Sequence, residues 1–107
     1  MQDVLDLSIC IVNYTAQESL DECLHSIADN KGDVRVEVFV VDNASSDCSA
    51  DMVSSHHPWV NLIANPRNVG FAAANNQALR LAKGRHVPIL NPDTDLPPQT
   101  IPRFRRV

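Results

Sequence analysis

The sequence predicts an α/β fold, a mostly parallel twisted sheet with flanking helices. Three observations carry that prediction. Apolar segments of strand length occur four times. Helix-like stretches lie between them, the alternation that builds a parallel sheet covered on its faces. The first two apolar segments are nearly continuous rather than alternating, as strands buried on both sides tend to be.

The elements follow in order. Leu7–Val12 (LSICIV) and Val36–Val41 (VEVFVV) are the strongest strands, rich in β-branched residues. Leu20, Cys23, Leu24 and Ile27 recur at i, i+3, i+4 and i+7, one apolar face of a helix over roughly 16–28. Segment 47–55 reads as a weaker helix with Asp47 or Ser49 as its N-cap. Val60–Ala64 is a third strand. Phe71, Ala74, Ala78 and Ala82 give the next helix an apolar face, with Leu79 and Leu81 beside it, and Lys83-Gly84 is its stop. His86–Leu90 is a fourth strand, but Pro88 donates no ladder hydrogen bond and assigns it to an edge or to local irregularity. Beyond it, Pro97 and Pro98 suit the first turn of a helix that Pro102 would interrupt.

Composition narrows the classes of function. The chain has 107 residues, 44% hydrophobic and 21% charged, ordinary for one folded domain and unlike a disordered one. No apolar run approaches the ~20 residues of a membrane span, and the N-terminus lacks the basic start of a secretory signal. Cys10, Cys23 and Cys48 form no CxxC pair and leave an odd thiol, which fits a reducing compartment. The net charge of −4 divides into eleven acids and two bases over residues 1–53, then two acids and seven bases over 54–107. Solvated helix faces account for such a balance, and no nucleic-acid partner is expected. Gly32, Gly70 and Gly84 are the only glycines, so neither GxGxxG nor the P-loop signature can be written.

In open α/β sheets, ligands sit at the carboxyl ends of the strands. There this chain carries Asn13-Tyr14-Thr15, Asp42 to Asp47, Asn65 to Gly70, and Asn91-Pro92-Asp93-Thr94-Asp95. Each run alone is ordinary turn chemistry; four at one sheet edge indicate a site. Asp93 and Asp95, the only acids of the second half, are hard oxygen donors suited to Mg²⁺ or Mn²⁺ bridging to phosphate. The adjacent His56 and His57, before Pro58-Trp59, read as a solvated loop, because neighbouring histidines do not easily point at one metal. His25 reads as half-exposed on its helix, and Cys10 and Cys23 as core. A receiver-like or aspartate-phosphatase domain with Asp42 as nucleophile expects an acidic pair where Asn13-Tyr14 stands.

Taken together, LSICIVNYTAQESLDECLHSI, VEVFVVDNASSDCSADMV and VNLIANPRNVGFAAANNQALRLAKGRHVPILNPDTDLPP resemble the nucleotide-sugar-binding half of an inverting GT-A glycosyltransferase of family 2. The likeness is nearest to the rhamnosyltransferase-like bacterial branch and spans about residues 6–98. It implies that Asn13 and Tyr14 contact base and ribose and that Asp42 hydrogen-bonds the pyrimidine. It implies that Asn68, Gly70 and Asn75, in the run to Asn76, close over the nucleoside diphosphate with Arg67 as a nearby cation. In the family's register Asn91-Pro92-Asp93 is the metal motif, which favours Asp93 over Asp95 as ligand of Mg²⁺ or Mn²⁺.

The activity so implied is inverting sugar transfer from a UDP- or dTDP-linked donor to the hydroxyl of a glycan or lipid-linked acceptor, in polysaccharide or cell-wall synthesis. The implied place is the cytoplasm or the inner face of the membrane. A non-catalytic nucleotide- or sugar-binding module is the alternative. No Asp or Glu follows Asp95, so the general base is not encoded here. Residues 1–107 are therefore expected to be a single partial domain, inactive alone and inclined to self-associate through unpaired sheet edge.

Overall fold

The computed structural model describes residues 5–94, 96–98 and 100–104. Four strands, β1 (Leu7–Asn13), β2 (Val36–Asp42), β3 (Asn61–Ala64) and β4 (Ile89–Leu90), form one sheet in the order β3-β2-β1-β4. All pairings are parallel. Four helices complete the fold: α1 (Gln17–Asn30), α2 (Ser49–His56), α3 (Phe71–Leu79) and α4 (Thr100–Phe104).

Alternation along the two central strands sorts the core into two layers. Leu7, Ile9 and Ile11 of β1 and Val38 and Val40 of β2 meet Leu20, Cys23, Leu24 and Ile27 of α1, Met52 and Val53 of α2 and Ile101 of α4. The intervening Cys10, Phe39 and Val41 meet Ala74 and Ala78 of α3 on the opposite face. The chain thus steps from β1 through β2 to β3 over one face. It then crosses the other face with α3 and returns to place β4 beside β1. The reversal of direction between β1 and β4 is a topological switch point, where open α/β sheets bind their ligands.

The predicted apolar face of α1 is buried at all four positions, and Cys10 and Cys23 lie in the core. Burial, with the charge of Glu37 adding, pushes the Cys10 thiol up. Pro88 does mark an edge. Strand β4 is only two residues long, and the carbonyl of Pro88 accepts the amide of Cys10 in place of a longer ladder. Helix α3 stops earlier than its periodicity suggests. The amide of Lys83 donates to Ser8 Oγ (3.1 Å) and Glu37 Oε2 (2.8 Å), and that of Gly84 to Ser8 Oγ (2.7 Å). A Cβ on Gly84 would lie 2.5 Å from the backbone of Leu7 and Ser8, so only glycine passes this close to β1.

Three expectations are corrected. Phe71 is exposed, because it stands in the first turn of α3, ahead of the buried Ala74 and Ala78. Pro102 does not interrupt a helix. It falls at the third position of α4, where its missing N–H is one that no helix satisfies internally. His57 is not solvated: it is 2% exposed at the end of α2, and its Nε2 meets Asp21 Oδ1 of α1 at 2.7 Å. That bond, chiefly, holds the Asp21 carboxyl below its ordinary range, with the charges of His25, His57 and His56 adding. His56 is exposed, as expected, and so is His25, beyond the half exposure expected of it.

Candidate active site at the carboxyl edge of the sheet

The pairing of β1 with β2 sets Asn13 beside Asp42, both buried. Asn13 Nδ2 donates to Asp42 Oδ1 (3.0 Å) and to Ser45 Oγ (3.2 Å). Asp42 also accepts from the Ser45 hydroxyl (2.5 Å) and, through Oδ2, from the Ser45 amide (3.1 Å). The carboxylate thereby folds the following turn over itself, a common local use of Asp. Among the described residues Oδ2 has one hydrogen-bond partner, so one of its lone pairs is unused.

The loops after β1 and β2 are then laced together. The amide of Thr15 donates to Ser45 Oγ (2.8 Å) and that of Ser46 to Thr15 Oγ1 (3.1 Å). Both loops contain a non-glycine residue in the left-handed region, Thr15 at φ 51° and Ala44 at φ 59°. Such conformations persist where surrounding bonds over-determine them. Asp47 joins two helix starts, accepting from the amide of Gln17 in α1 (3.2 Å) and that of Ser49 in α2 (3.0 Å). It also accepts the Ser49 hydroxyl, and this bond, with the backbone donors, holds its carboxyl below the usual range.

The loop after β3 is shaped by amides. Asn68 Oδ1 accepts the amide of Gly70 (2.8 Å), and Gly70 enters α3 at φ 88°, a conformation suited to glycine. Asn43 Nδ2 donates to the carbonyl of Gly70 (3.1 Å), while its Oδ1 accepts from Asn65 Nδ2 (3.1 Å). Asn65 and Gln77 exchange two bonds of 2.8 and 2.9 Å. Arg67 is exposed on this loop. Asn75 is buried on α3. Its Oδ1, like that of Asn13, is enclosed without a hydrogen-bond partner among the described residues. Enclosed acceptors of that kind are rare and call for an explanation.

At the switch point the structure opens a cleft of about 450 Å³. Val12 and Tyr14 line it from the end of β1, Ala16 and Ser19 from the start of α1, and Asn91, Pro92 and Asp93 from the end of β4. Tyr14 is 56% exposed and free to meet a ligand. Asp93 is exposed as well. Asp95 lies outside the described residues. A carboxylate on an open cleft fits Mg²⁺ or Mn²⁺, which take one or two protein carboxylates and complete their shells with phosphate oxygens and water.

Sequence reasoning named Asn13, Tyr14, Asp42, Arg67, Asn68, Gly70, Asn75 and Asp93, and the fold sets the strand-end residues along one edge of the sheet. Tyr14 and Asp93 share the cleft, whereas Asn13 and Asp42 form the buried pair beside it. The organising roles of Ser45, Asp47, Asn43, Asn65 and Gln77 were missed. Ser45 could have been found three residues after Asp42, the spacing of a side-chain-capped turn. Asn43 and Asn65 each directly follow one of two neighbouring strands, a signal visible only once those strands are paired.

Fold and cleft define an open α/β domain with a cleft where the strand order reverses. The family described as Glycosyl transferase family 2 matches residues 8–106, and the chain belongs to it. A succinoglycan biosynthesis protein of Rhizobium meliloti is 32% identical over 94% of this chain. TarS of S. aureus, solved with UDP-GlcNAc, superposes with a TM-score of 0.81 at 26% identity over 95% of this chain. A mannosyltransferase of Pyrobaculum calidifontis, solved with GDP-Man and Mn²⁺, gives a TM-score of 0.79 at 29% identity over 92%. The chain spans 29% of the length of the first of these proteins and 30% and 31% of the two solved chains. The fold is that of the GT-A glycosyltransferases.

Proposed function

We propose that residues 1–107 are the donor-binding part of an inverting GT-A glycosyltransferase that takes a nucleoside-diphosphate sugar, in polysaccharide or cell-wall synthesis. The observation that carries this reading is the cleft joining Tyr14 to Asp93 at the reversal of strand order. The two solved relatives, one with a nucleotide sugar and one with a nucleotide sugar and Mn²⁺, support it.

In this reading Tyr14 lies against the nucleoside, and Asp42 offers the unused lone pair of Oδ2 to a base N–H. Asn13 holds that carboxylate in place. Asn68 and Gly70 shape the loop entering α3, which carries Arg67 and Asn75 toward the diphosphate. Asp93 holds Mg²⁺ or Mn²⁺, with Asp95 as the second acid of the run. The metal supplies charge neutralisation for the leaving diphosphate. The NPDT sequence from Asn91 to Thr94 favours the rhamnosyltransferase-like branch and a UDP- or dTDP-linked donor. The acceptor is a glycan or lipid-linked hydroxyl, and the place of action the cytoplasm or the inner membrane face. Among the described residues no helix is long and apolar enough to cross a membrane. The edge position of β4, with Ile89 exposed on it, favours self-association of this chain.

Calorimetry with UDP, dTDP and free uridine, each with and without Mn²⁺, tests the reading. The diphosphates should bind more tightly with metal, uridine should not, and Asp93→Asn should remove the difference. A folded chain with no metal-dependent diphosphate affinity would overturn it. Purified chain given donor and acceptor should form no product at multiple turnover; sustained transfer would show that this stretch supplies its own base.

A further inference from the structure

On the face of the sheet covered by α1 and α2, three imidazoles surround one carboxylate oxygen. Asp21 and His25 stand one turn apart on α1, His56 ends α2, and His57 follows it. Asp21 Oδ1 lies 2.7 Å from His57 Nε2, 3.4 Å from His25 Nε2 and 3.9 Å from His56 Nδ1. The rings of His25 and His57 meet edge to face with centroids 4.7 Å apart. The group is anchored inside and open outside: the side chain of His57 is 2% exposed, that of Asp21 32%, and those of His25 and His56 61%.

One carboxylate is enough to satisfy one buried histidine. That ordinary pairing explains His57 and Asp21, but not two further imidazole nitrogens within 4 Å of the same oxygen. A cation explains all of them. Candidate ligand atoms of Asp21, His25 and His57 all lie within 4.8 Å of one another. Around a tetrahedral ion with bonds of ~2.0–2.1 Å, ligand atoms stand roughly 3.3 Å apart. Two of the contacts to Asp21 are already near or inside that spacing. His25, on an exposed helix face, has the rotamer freedom to close the rest.

We propose that Asp21, His25 and His57 bind a divalent transition metal of the zinc type, with His56 placed to enter as a fourth ligand, because the end of α2 turns both neighbouring imidazoles toward Asp21 Oδ1. The donor chemistry separates this site from the cleft. Imidazole-rich sites select Zn²⁺ and its neighbours, whereas the carboxylate chemistry at Asp93 suits Mg²⁺ or Mn²⁺. The ion clamps the second turn of α1 to the end of α2. Because Ala16 and Ser19, at the start of α1, form one wall of the cleft, the clamp braces that wall from behind. Its role is structural, and no step of sugar transfer passes through it.

Zn²⁺ titrated into the full chain should bind at one ion per chain and raise the thermal midpoint, as a ligand of the folded state must. Mg²⁺ should not displace it. Co²⁺ should give the visible absorption of a four-coordinate site. Replacing both exposed imidazoles, His25→Ala with His56→Ala, should weaken Zn²⁺ binding at least about tenfold while the circular dichroism spectrum is kept. Asp93→Asn should leave it unchanged, so that this site and the donor cleft stand or fall separately. A folded wild-type chain that takes up no Zn²⁺ would overturn the proposal. So would unaltered affinity in the double variant.

Discussion

The centre and the edge of this sheet are built to different standards. Strands β1 and β2 pair over seven residues, from Leu7 with Val36 to Asn13 with Asp42, and all but Val12, Val36 and Glu37 are buried. Strand β4 pairs with β1 over two, and Ile89 is 46% exposed. The difference carries into the cleft. The group of Asn13, Asp42 and Ser45 beside the cleft is tied by several hydrogen bonds. The side formed by Asn91 to Asp93 hangs from a two-residue strand, and its described backbone bond is the turn from Thr94 to Asn91. Under the proposed function, a firmly bonded group offered to the base and a looser lip offered to phosphate and metal form a division of labour suited to a donor site.

The contrast is broken most severely in the core. Ile11→Ala, at a fully buried position of β1, should cost about 2–5 kcal/mol in urea unfolding, whereas Ile89→Ala should cost less than about 1 kcal/mol. Equal losses would mean that the edge is packed as tightly as the centre. Gly84→Ala comes next, at about 1–3 kcal/mol, because its new methyl meets the backbone of Leu7 and Ser8.

Asp42→Ala should act on both stability and binding. Loss of a charge-assisted bond to the base corresponds to ~1.5–3 kcal/mol, or about ten- to a hundredfold weaker UDP and dTDP binding. The structure adds a consequence: the Ser45 amide loses its acceptor and Asn13 Nδ2 one of its two, so the folded state should weaken by about 1–3 kcal/mol as well. An Asp42→Ala protein of full stability would deny that the carboxylate organises the turn. Asp93→Asn should do the reverse, changing stability by no more than about 0.5 kcal/mol while removing the metal effect on diphosphate binding.

The smallest effect is one of pH. Donors from Ser49 and the start of α1 depress the Asp47 carboxyl, so its ionised form is favoured by folding. Its stabilising contribution is present above the ordinary aspartate value near pH 4 and is lost as pH falls through the lower folded value. Asp47→Asn should therefore flatten the stability profile below about pH 4 and leave its shape above pH 5 unchanged. An unaltered acid limb would show that the bonds to the two helix starts contribute nothing measurable.

What the sequence determined by itself was local. The strand segments at 7–12 and 36–41, the face of Leu20, Cys23, Leu24 and Ile27, and the edge assignment at Pro88 could all be read from periodicity and from the chemistry of single residues. Boundaries failed where a distant group intervened. Helix α3 ends early because Ser8 and Glu37 take the amides of Lys83 and Gly84. His57 looked solvated because its partner, Asp21, stands 36 residues earlier on another helix. Only the tertiary structure decided the order β3-β2-β1-β4. That order sets Asn13 against Asp42, opens the cleft between Tyr14 and Asp93, and gathers three histidines around one oxygen. The physical reason is that periodicity reports which face of an element is apolar, while the choice of which faces meet is made by the whole core at once.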